Sequence, residues 1–260
     1  MINLLLEAGA DPNTVTPLGE TVLMTAARTG AVDAVSSLLT NGADVNAREE
    51  WRGQTALMWA AVEGHVSTLE ALLAAGADID ARSIAGGAPT QPRFYESDAP
   101  KTSKNTDRPT GLSALLFAIR EGRTTTVRFL LGAGADVNGL APDGTSPLAL
   151  AVINAHYGLA ALLLDAGADP NASDPRGSML HALGWMRRPG SGIGGGRLLA
   201  PTGNLSSLEL AKKLLVHGAN PNTRITWDET RFDVDLGSVR SPSNIRVGRN
   251  YLSFIGATPF

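Results

Sequence analysis

The chain has 260 residues, a formal net charge of −3 and no cysteine, and 43% of its residues are apolar. That apolar share is enough for a continuous core, but no apolar run approaches the roughly 18 residues of a membrane helix. Without cysteine, disulfide bonds and thiolate metal sites are impossible. No block of lysine and arginine marks a nucleic-acid surface. We therefore expect a water-soluble protein that binds neither membrane nor nucleic acid.

A five-residue phrase recurs along the whole chain. It reads GADPN from Gly9, and related phrases begin at Gly42, Gly76, Gly134, Gly167 and Gly218. The separations are 33, 34, 58, 33 and 51 residues. Three separations correspond to one period, and the other two correspond to that period plus an insertion. A regular repeat unit interrupted by loops explains all five.

Each phrase follows a stretch with helical periodicity. Before Gly76 the apolar residues are Val66, Leu69, Leu72 and Leu73, a spacing that places them on one side of a helix. The corresponding residues of the last full repeat are Leu208, Ala211, Leu214 and Leu215. The glycine suits the left-handed position that ends a helix. The Asp or Asn two residues later is expected to hydrogen-bond to the following turn.

A second, shorter helix is predicted after each turn. Its first residues follow a hydroxyl side chain that can accept from free backbone N–H groups, at Thr21, Thr55, Ser113 and Ser146. Pro147 fits the first helical position. The unit is thus a turn, a short helix, a tight turn and a longer helix.

This unit resembles the ankyrin repeat, as in GQTALMWAA from Gly53 and GADVN from Gly42. The resemblance implies an all-α ankyrin-repeat solenoid of stacked helix pairs with short β-hairpin fingers. We predict a single ankyrin-repeat domain over 1–260. Its full repeats are 14–46, 47–80, 111–138, 139–171 and 172–222, its partial repeats are 1–13 and 255–260, and its inserts are 81–110, 189–205 and 224–254.

Both ends of the chain fall inside a repeat, so we expect a fragment of a longer protein. The long insertions favour a bacterial source, and a cytoplasmic location is favoured with export left open. Within the third insert, residues 231–236 alternate in the manner of a strand. The inserts either border a binding surface or lengthened neutrally, since long surface loops cost little.

The resemblance also implies where a partner binds, because ankyrin proteins usually bind on the concave side formed by finger tips and first helices. Trp51 is the strongest candidate, because it lies among the charged residues Glu49, Glu50 and Arg52. Trp59 and Phe117 are instead expected to pack between repeats. Aromatic and arginine residues dominate binding hot spots. The predicted partner-binding residues are Trp51, Arg52, Gln54, Glu63, Arg120, Glu121, Asp143, Arg176, Trp185 and Arg187.

No catalytic, cofactor or metal site is predicted. Residues 190–195 match G-x-G-x-x-G, but they lie in an inserted loop rather than between a strand and a helix, as a dinucleotide site requires. The four histidines occupy separate repeats or register positions. The phrases supply about one carboxylate per repeat, too few for the six to eight oxygens of calcium.

The sequence therefore predicts a monomeric, non-enzymatic scaffold that binds another protein. An alternative is a regulatory or targeting segment of a larger enzyme or effector whose catalytic part lies outside this chain. A third possibility, an enzyme site assembled in the inserts, would require clustered His, Asp and Ser side chains.

Overall fold

The computed structural model describes residues 2–84, 111–142, 144–172, 178–186 and 203–223, together with three short strands between 232 and 247. The chain divides into two compact units, residues 1–135 and 136–260. The boundary falls close to the predicted junction between the third and fourth full repeats. The prediction of one domain stays a prediction.

The first unit consists of two layers of helices. The first helices of successive repeats, α2, α4 and α6, pack side by side, and the second helices α1, α3, α5 and α7 pack in the other layer. The helices are α1 (Ile2–Glu7), α2 (Val22–Thr29), α3 (Val32–Thr40), α4 (Ala56–Glu63), α5 (Val66–Ala74), α6 (Ala114–Arg120) and α7 (Thr124–Gly132).

The second unit repeats this arrangement with α8 (Pro147–Ile153), α9 (Tyr157–Asp165), α10 (Met179–Met186) and α11 (Ser207–Val216). Helix α8 packs against α9 and α10, and α9 packs against α11. Three short strands, β1 (Phe232–Asp233), β2 (Ser238–Arg240) and β3 (Arg246–Val247), pair antiparallel in the order β1-β2-β3. Strand β1 falls within the predicted strand at 231–236. Apart from these three strands, the third insert lies outside the described residues.

The predicted caps explain where the first helices begin. The hydroxyl of Thr21 accepts from the backbone N–H of Met24 at 3.2 Å, and Ser146 accepts from Ala149 at 3.1 Å. Thr55 and Ser113 make the equivalent bonds. Pro147 occupies the first turn of α8, where its missing N–H costs nothing. The predicted N-caps are confirmed.

The core is formed by residues of the predicted apolar stripes, and these stripes are buried to different extents. Leu69 and Leu72 of α5 are fully buried, as expected. In α11, Leu214 is buried but Leu208 and Leu215 are exposed. Helix α11 packs against α9 and α10, and Leu210 and Leu214 are the residues of α11 that this packing buries. Of the apolar stripe predicted for α11, Leu214 is therefore buried, whereas Leu208 and Leu215 remain exposed.

The turns between repeats are joined by asparagine side chains. Asn46 Nδ2 donates to the carbonyl of Gly76 at 3.1 Å, and Asn46 Oδ1 accepts from the backbone N–H of Asp78 at 2.8 Å. The same two hydrogen bonds to the following turn are made by Asn13, Asn138 and Asn171. The predicted bond within each turn is also present, since Asp44 Oδ1 accepts from Asn46 N at 2.9 Å. Asp80 occupies the equivalent position in the next turn.

Candidate protein-binding surface

Six of the ten predicted binding residues lie in the first unit with described side chains. Three of them, Trp51, Arg52 and Gln54, belong to the finger before α4. The others lie at the C-terminal ends of α4 and α6: Glu63, Arg120 and Glu121. Asp143, Arg176 and Arg187 lie outside the described residues, as does the side chain of Trp185 in α10.

The finger that carries Trp51 is organised around one carboxylate. Glu49 is only 6% exposed, and its Oε2 accepts from the backbone N–H of Trp51 at 2.7 Å. Its Oε1 accepts from the N–H groups of Arg52 at 2.7 Å and Gln54 at 2.9 Å. Main-chain bonds between Glu49 and both Gly53 and Gln54 close the loop. The buried carboxylate is tolerated because these three hydrogen bonds replace the ones that it would make to water.

This loop presents two side chains as a stacked pair. The Cζ atom of Arg52 lies 4.2 Å from the centroid of the Trp51 ring, within the range of a cation–π contact. Trp51 is 39% exposed and Arg52 is half-buried. The exposure expected for Trp51 is thus observed, although the neighbouring Glu49 is buried. The sequence did not reveal this because the bonds of Glu49 depend on the loop closing back on itself.

Neighbouring fingers of the first unit are joined at their tips. The backbone N–H of Glu50 donates to the carbonyl of Leu18 at 3.0 Å, and the N–H of Ile84 donates to the carbonyl of Arg52 at 2.7 Å. Leu18 is 47% exposed and Ile84 is 52% exposed. Ile84 was not among the predicted binding residues, because residues 81–110 were assigned to an insert. The sequence feature that could have identified Ile84 is its apolar side chain just after the end of a repeat.

Two arginine side chains of the first unit contact neighbouring repeats. Arg28 Nη2 lies 3.5 Å from Glu20 Oε1, and the Arg28 guanidinium lies over the ring of Trp59. Trp59 is half-buried, in keeping with a packing role. Arg123 of the third full repeat reaches back to the second, where its Nη2 lies 4.0 Å from Glu63 Oε2.

Arg120 and Glu121, both predicted to bind a partner, contact each other. Arg120 Nε donates to Glu121 Oε1 at 2.8 Å, and the Arg120 guanidinium lies 5.0 Å from the centroid of the Phe117 ring. Phe117 itself is buried, as expected for packing between repeats. Glu63 and Glu121 therefore each form an ion pair with an arginine of this chain. They are less available to form ion pairs with a partner protein.

Within the described residues, no group of three or more His, Cys, Asp or Glu side chains could hold a metal. The histidines instead contact nearby groups. His65 Nε2 lies 3.1 Å from the Arg28 carbonyl, and His181 Nδ1 lies 2.8 Å from Ser178 Oγ at the start of α10. In the described part of the chain, no helix is long and apolar enough to cross a membrane.

Comparison with known families agrees with this geometry. A family model of ankyrin repeats (3 copies) matches residues 1–83 and 94–174. The chain belongs to the ankyrin-repeat family. No curated protein matches it at a significant level. Ankyrin repeats generally mediate protein–protein interactions, so a protein partner is the class of ligand that this fold indicates.

Proposed function

We propose that this chain is a scaffold that binds another protein through the fingers and first helices of its repeats, with Trp51 and Arg52 at the centre of the contact. The observation that carries the proposal is the Trp51–Arg52 stack, which is exposed yet fixed by the buried Glu49 carboxylate. An ordered aromatic residue beside an arginine combines large contact area with directional donors, as binding hot spots do.

The surface is also prepared for binding in advance. Glu49 accepts hydrogen bonds from three backbone N–H groups of the finger. Main-chain hydrogen bonds to Leu18 and from Ile84 join the finger to the neighbouring segments. A loop ordered before association loses less conformational freedom when a partner binds. The scaffold needs no chemistry of its own, so we propose that the described repeats act without catalysis and that the chain works as a monomer.

The proposal is tested with a photo-reactive amino acid. Placed at position 51, it should crosslink to a discrete partner in extract from the native cell. The same group at Glu70, exposed on the second helix α5, provides the control. The captured partner is then titrated against the double variant Trp51→Ala, Arg52→Ala. We expect an affinity loss of about 30-fold or more, the size of a hot spot.

The double variant should still fold, because Glu49 bonds to the backbone N–H groups of residues 51 and 52, which alanine also provides. Changes at surface positions usually alter stability by less than about 1 kcal/mol. Equal crosslinking from positions 51 and 70, or unchanged affinity in the folded double variant, would contradict the proposal. The matched variant Glu70→Ala, Arg128→Ala changes exposed residues of the second helices and should bind the partner normally.

A further inference from the structure

We infer that Arg52 binds a carboxylate of the partner, supplied by an aspartate or glutamate side chain whose neighbouring residues are apolar. The inference rests on the proposed function and adds the chemistry of the ligand to it. It depends on three features of the finger: a guanidinium without an acidic partner, the aromatic ring that holds this guanidinium, and the exposed apolar side chains beside it.

The first argument is that Arg52 lacks a partner of its own. Other arginines near the fingers and first helices already have one within the chain. Three of them have a carboxylate nearby: Arg28, Arg120 and Arg123. Arg48 and Arg82 donate to main-chain carbonyls. In the part of the chain that the structure describes, the guanidinium of Arg52 has neither an ion pair nor a hydrogen bond.

The two acidic residues of the same finger do not supply this partner. Both oxygens of Glu49 accept backbone N–H groups, so that carboxylate is committed to the loop. The side chain of Glu50 lies against the preceding finger, since a Cβ atom on Gly19 would be 2.9 Å from Glu50 Cγ. A guanidinium has five N–H donors and no acceptor. The donors of Arg52 are therefore left to water or to a ligand, and a carboxylate can accept two of them side by side.

The second argument is that the guanidinium is held in place before a ligand arrives. Arg52 Cζ lies 4.2 Å from the centroid of the Trp51 ring, and Glu49 holds the main chain of both residues. A flexible arginine loses rotamer freedom when it binds, whereas an arginine held on a ring has already lost much of it on folding. Arg128 on α7 offers the comparison, because it is exposed and makes no ring contact among the described residues.

The third argument is the apolar surroundings of Arg52. Trp51 precedes it and is exposed. Ile84, which is also exposed, packs against the residue that follows, since a Cβ atom on Gly53 would be 2.9 Å from Ile84 Cγ1. A bound segment that covers these side chains removes water from around the guanidinium, and a charge pair is stronger where water is excluded. The residues next to the partner's carboxylate are therefore expected to be apolar.

A phosphorylated segment or a nucleic acid fits this finger less well. Phosphorylated segments are usually recognised by clusters of arginines, whereas the described finger has a single guanidinium without a hydrogen bond. Among the described residues of the first unit, acidic side chains also outnumber basic ones. A polyanion that extended beyond the finger would therefore be repelled, but one carboxylate bound at Arg52 would not extend that far.

The experiment observes Arg52 directly by NMR spectroscopy of the whole chain, labelled with nitrogen-15. It follows the side-chain Nε–Hε signals of Arg52 and Arg128, which are assigned by their loss in Arg52→Lys and Arg128→Lys. The probe is the capped tripeptide acetyl-Leu-Glu-Leu-amide. One control tripeptide has Gln in place of Glu, and a second has Gly in place of both Leu residues. Inorganic phosphate is titrated separately.

We expect the Leu-Glu-Leu tripeptide to shift the Arg52 signal saturably. Half-saturation should need a concentration about tenfold lower than for the Gln tripeptide, because a charge-assisted pair replaces a neutral contact. The Gly tripeptide should bind more weakly than Leu-Glu-Leu, because it has no apolar neighbours to cover Trp51 and Ile84. The Arg128 signal should show no saturable shift with any probe.

Two variants separate the ring from the apolar neighbour. In Trp51→Ala, the Arg52 signal should respond as the Arg128 signal does, because the ring no longer holds the guanidinium. Ile84→Ala should reduce the difference between the Leu and Gly tripeptides and leave the preference for Glu over Gln unchanged.

Several outcomes would overturn the inference. They are the absence of a saturable shift at Arg52, equal shifts at Arg52 and Arg128, and equal affinities for the Glu and Gln tripeptides. Saturation of Arg52 by phosphate at a lower concentration than by Leu-Glu-Leu would also overturn it and would assign the finger to a phosphorylated ligand.

The outcome separates this inference from the broader proposal. If the crosslinked partner loses affinity in the Trp51→Ala, Arg52→Ala variant but the tripeptides show no preference for Glu, the scaffold proposal stands and the carboxylate ligand is wrong. If the partner binds the double variant normally, the proposed binding site itself is wrong, whatever the tripeptides do.

Discussion

Arg28, near the end of α2, lies over the indole ring of Trp59 in α4, with its Cζ atom 5.1 Å from the ring centroid. The carbonyl of Arg28 also lies 3.1 Å from His65 Nε2. The side chains of Trp59 and His65, both in the second full repeat, thus contact the end of α2 in the repeat before. Gly30 permits this approach, since a Cβ atom there would lie 2.7 Å from His65 Nδ1. The contact couples neighbouring repeats on the side where first helices are exposed.

We predict that Arg28→Ala lowers the free energy of unfolding by about 1 kcal/mol, the size of a partly exposed cation–π contact. Glu20→Ala should cost less, because the exposed ion pair between Glu20 and Arg28 contributes little. Urea unfolding provides the measurement, with Arg128→Ala on α7 as the control. Equal losses for Arg28→Ala and Glu20→Ala would instead assign the effect to the ion pair.

Glu49→Ala should loosen the finger that carries Trp51. The change leaves three backbone N–H groups without their carboxylate, and we expect a loss of about 1 to 3 kcal/mol in stability. Amide hydrogen exchange at Trp51, Arg52 and Gln54 should accelerate. The neighbouring Glu50 is exposed, so Glu50→Ala is the matched control and should change neither quantity. Unaltered exchange in Glu49→Ala would exclude its proposed role.

Asp80→Asn should stabilise the first unit. At the equivalent position Asn46 donates to Gly76 O and accepts from Asp78 N, whereas the carboxylate of Asp80 has no hydrogen to donate. An asparagine there would gain a bond to the carbonyl of Gly134, and we expect a rise of about 1 kcal/mol. Asn46→Asp makes the reverse change and should lower stability. Thermal unfolding of the two variants would measure both, and a fall in Asp80→Asn would contradict the equivalence of the turns.

Two buried threonines should tolerate an apolar replacement. Thr68 of α5 and Thr126 of α7 are almost fully buried, and their hydroxyl oxygens have no hydrogen-bond partner among the described residues. Valine has a similar shape and no polar group to satisfy, so Thr68→Val and Thr126→Val should each stabilise the chain by about 1 kcal/mol. The exposed Thr125→Val is the control. Destabilisation of both variants in urea would show that the hydroxyls are bonded in solution.

A surface cluster of the second unit should make stability depend on pH. Lys213 Nζ donates to Asp165 Oδ2 at 2.6 Å, and this hydrogen bond lowers the pKa of Asp165, helped by the nearby charges of Lys213 and His217. Since the folded-state pKa lies below the unfolded one, the stabilisation is present above the unfolded-state pKa. It is lost as the pH falls through the lowered pKa. The Asp165 side chain is largely exposed, so the effect is small and screened by salt.

Asp165→Asn should therefore lower the urea midpoint near neutral pH and have little effect below about pH 3. Lys213→Gln should reproduce the loss, whereas Lys212→Gln should not alter the contribution of Asp165. A deficit in Asp165→Asn that is the same at both pH values would mean that the cluster is not responsible.

The local features of the fold could be predicted from the sequence, because they depend on residues a few positions apart. The caps at Thr21 and Ser146 and the left-handed glycine at Gly42 are of this kind. The bonds of Asn46 connect turns about one repeat apart, and a single turn of sequence gives no sign of them. The site was predicted in part. Trp51 was identified from its charged neighbours, but Glu49 and Ile84 acquire their roles only when the fingers meet.

The way Glu49 holds its finger has a consequence for how this surface can change during evolution. All three of its hydrogen bonds go to main-chain N–H groups, which every residue except proline provides. Residues 51 and 52 can therefore be exchanged without removing the bonds that shape the loop. A related array that keeps Glu49 and Gly53 could acquire a different ligand through two substitutions. The ligand bound at this finger would then change while the fold of the loop stays the same.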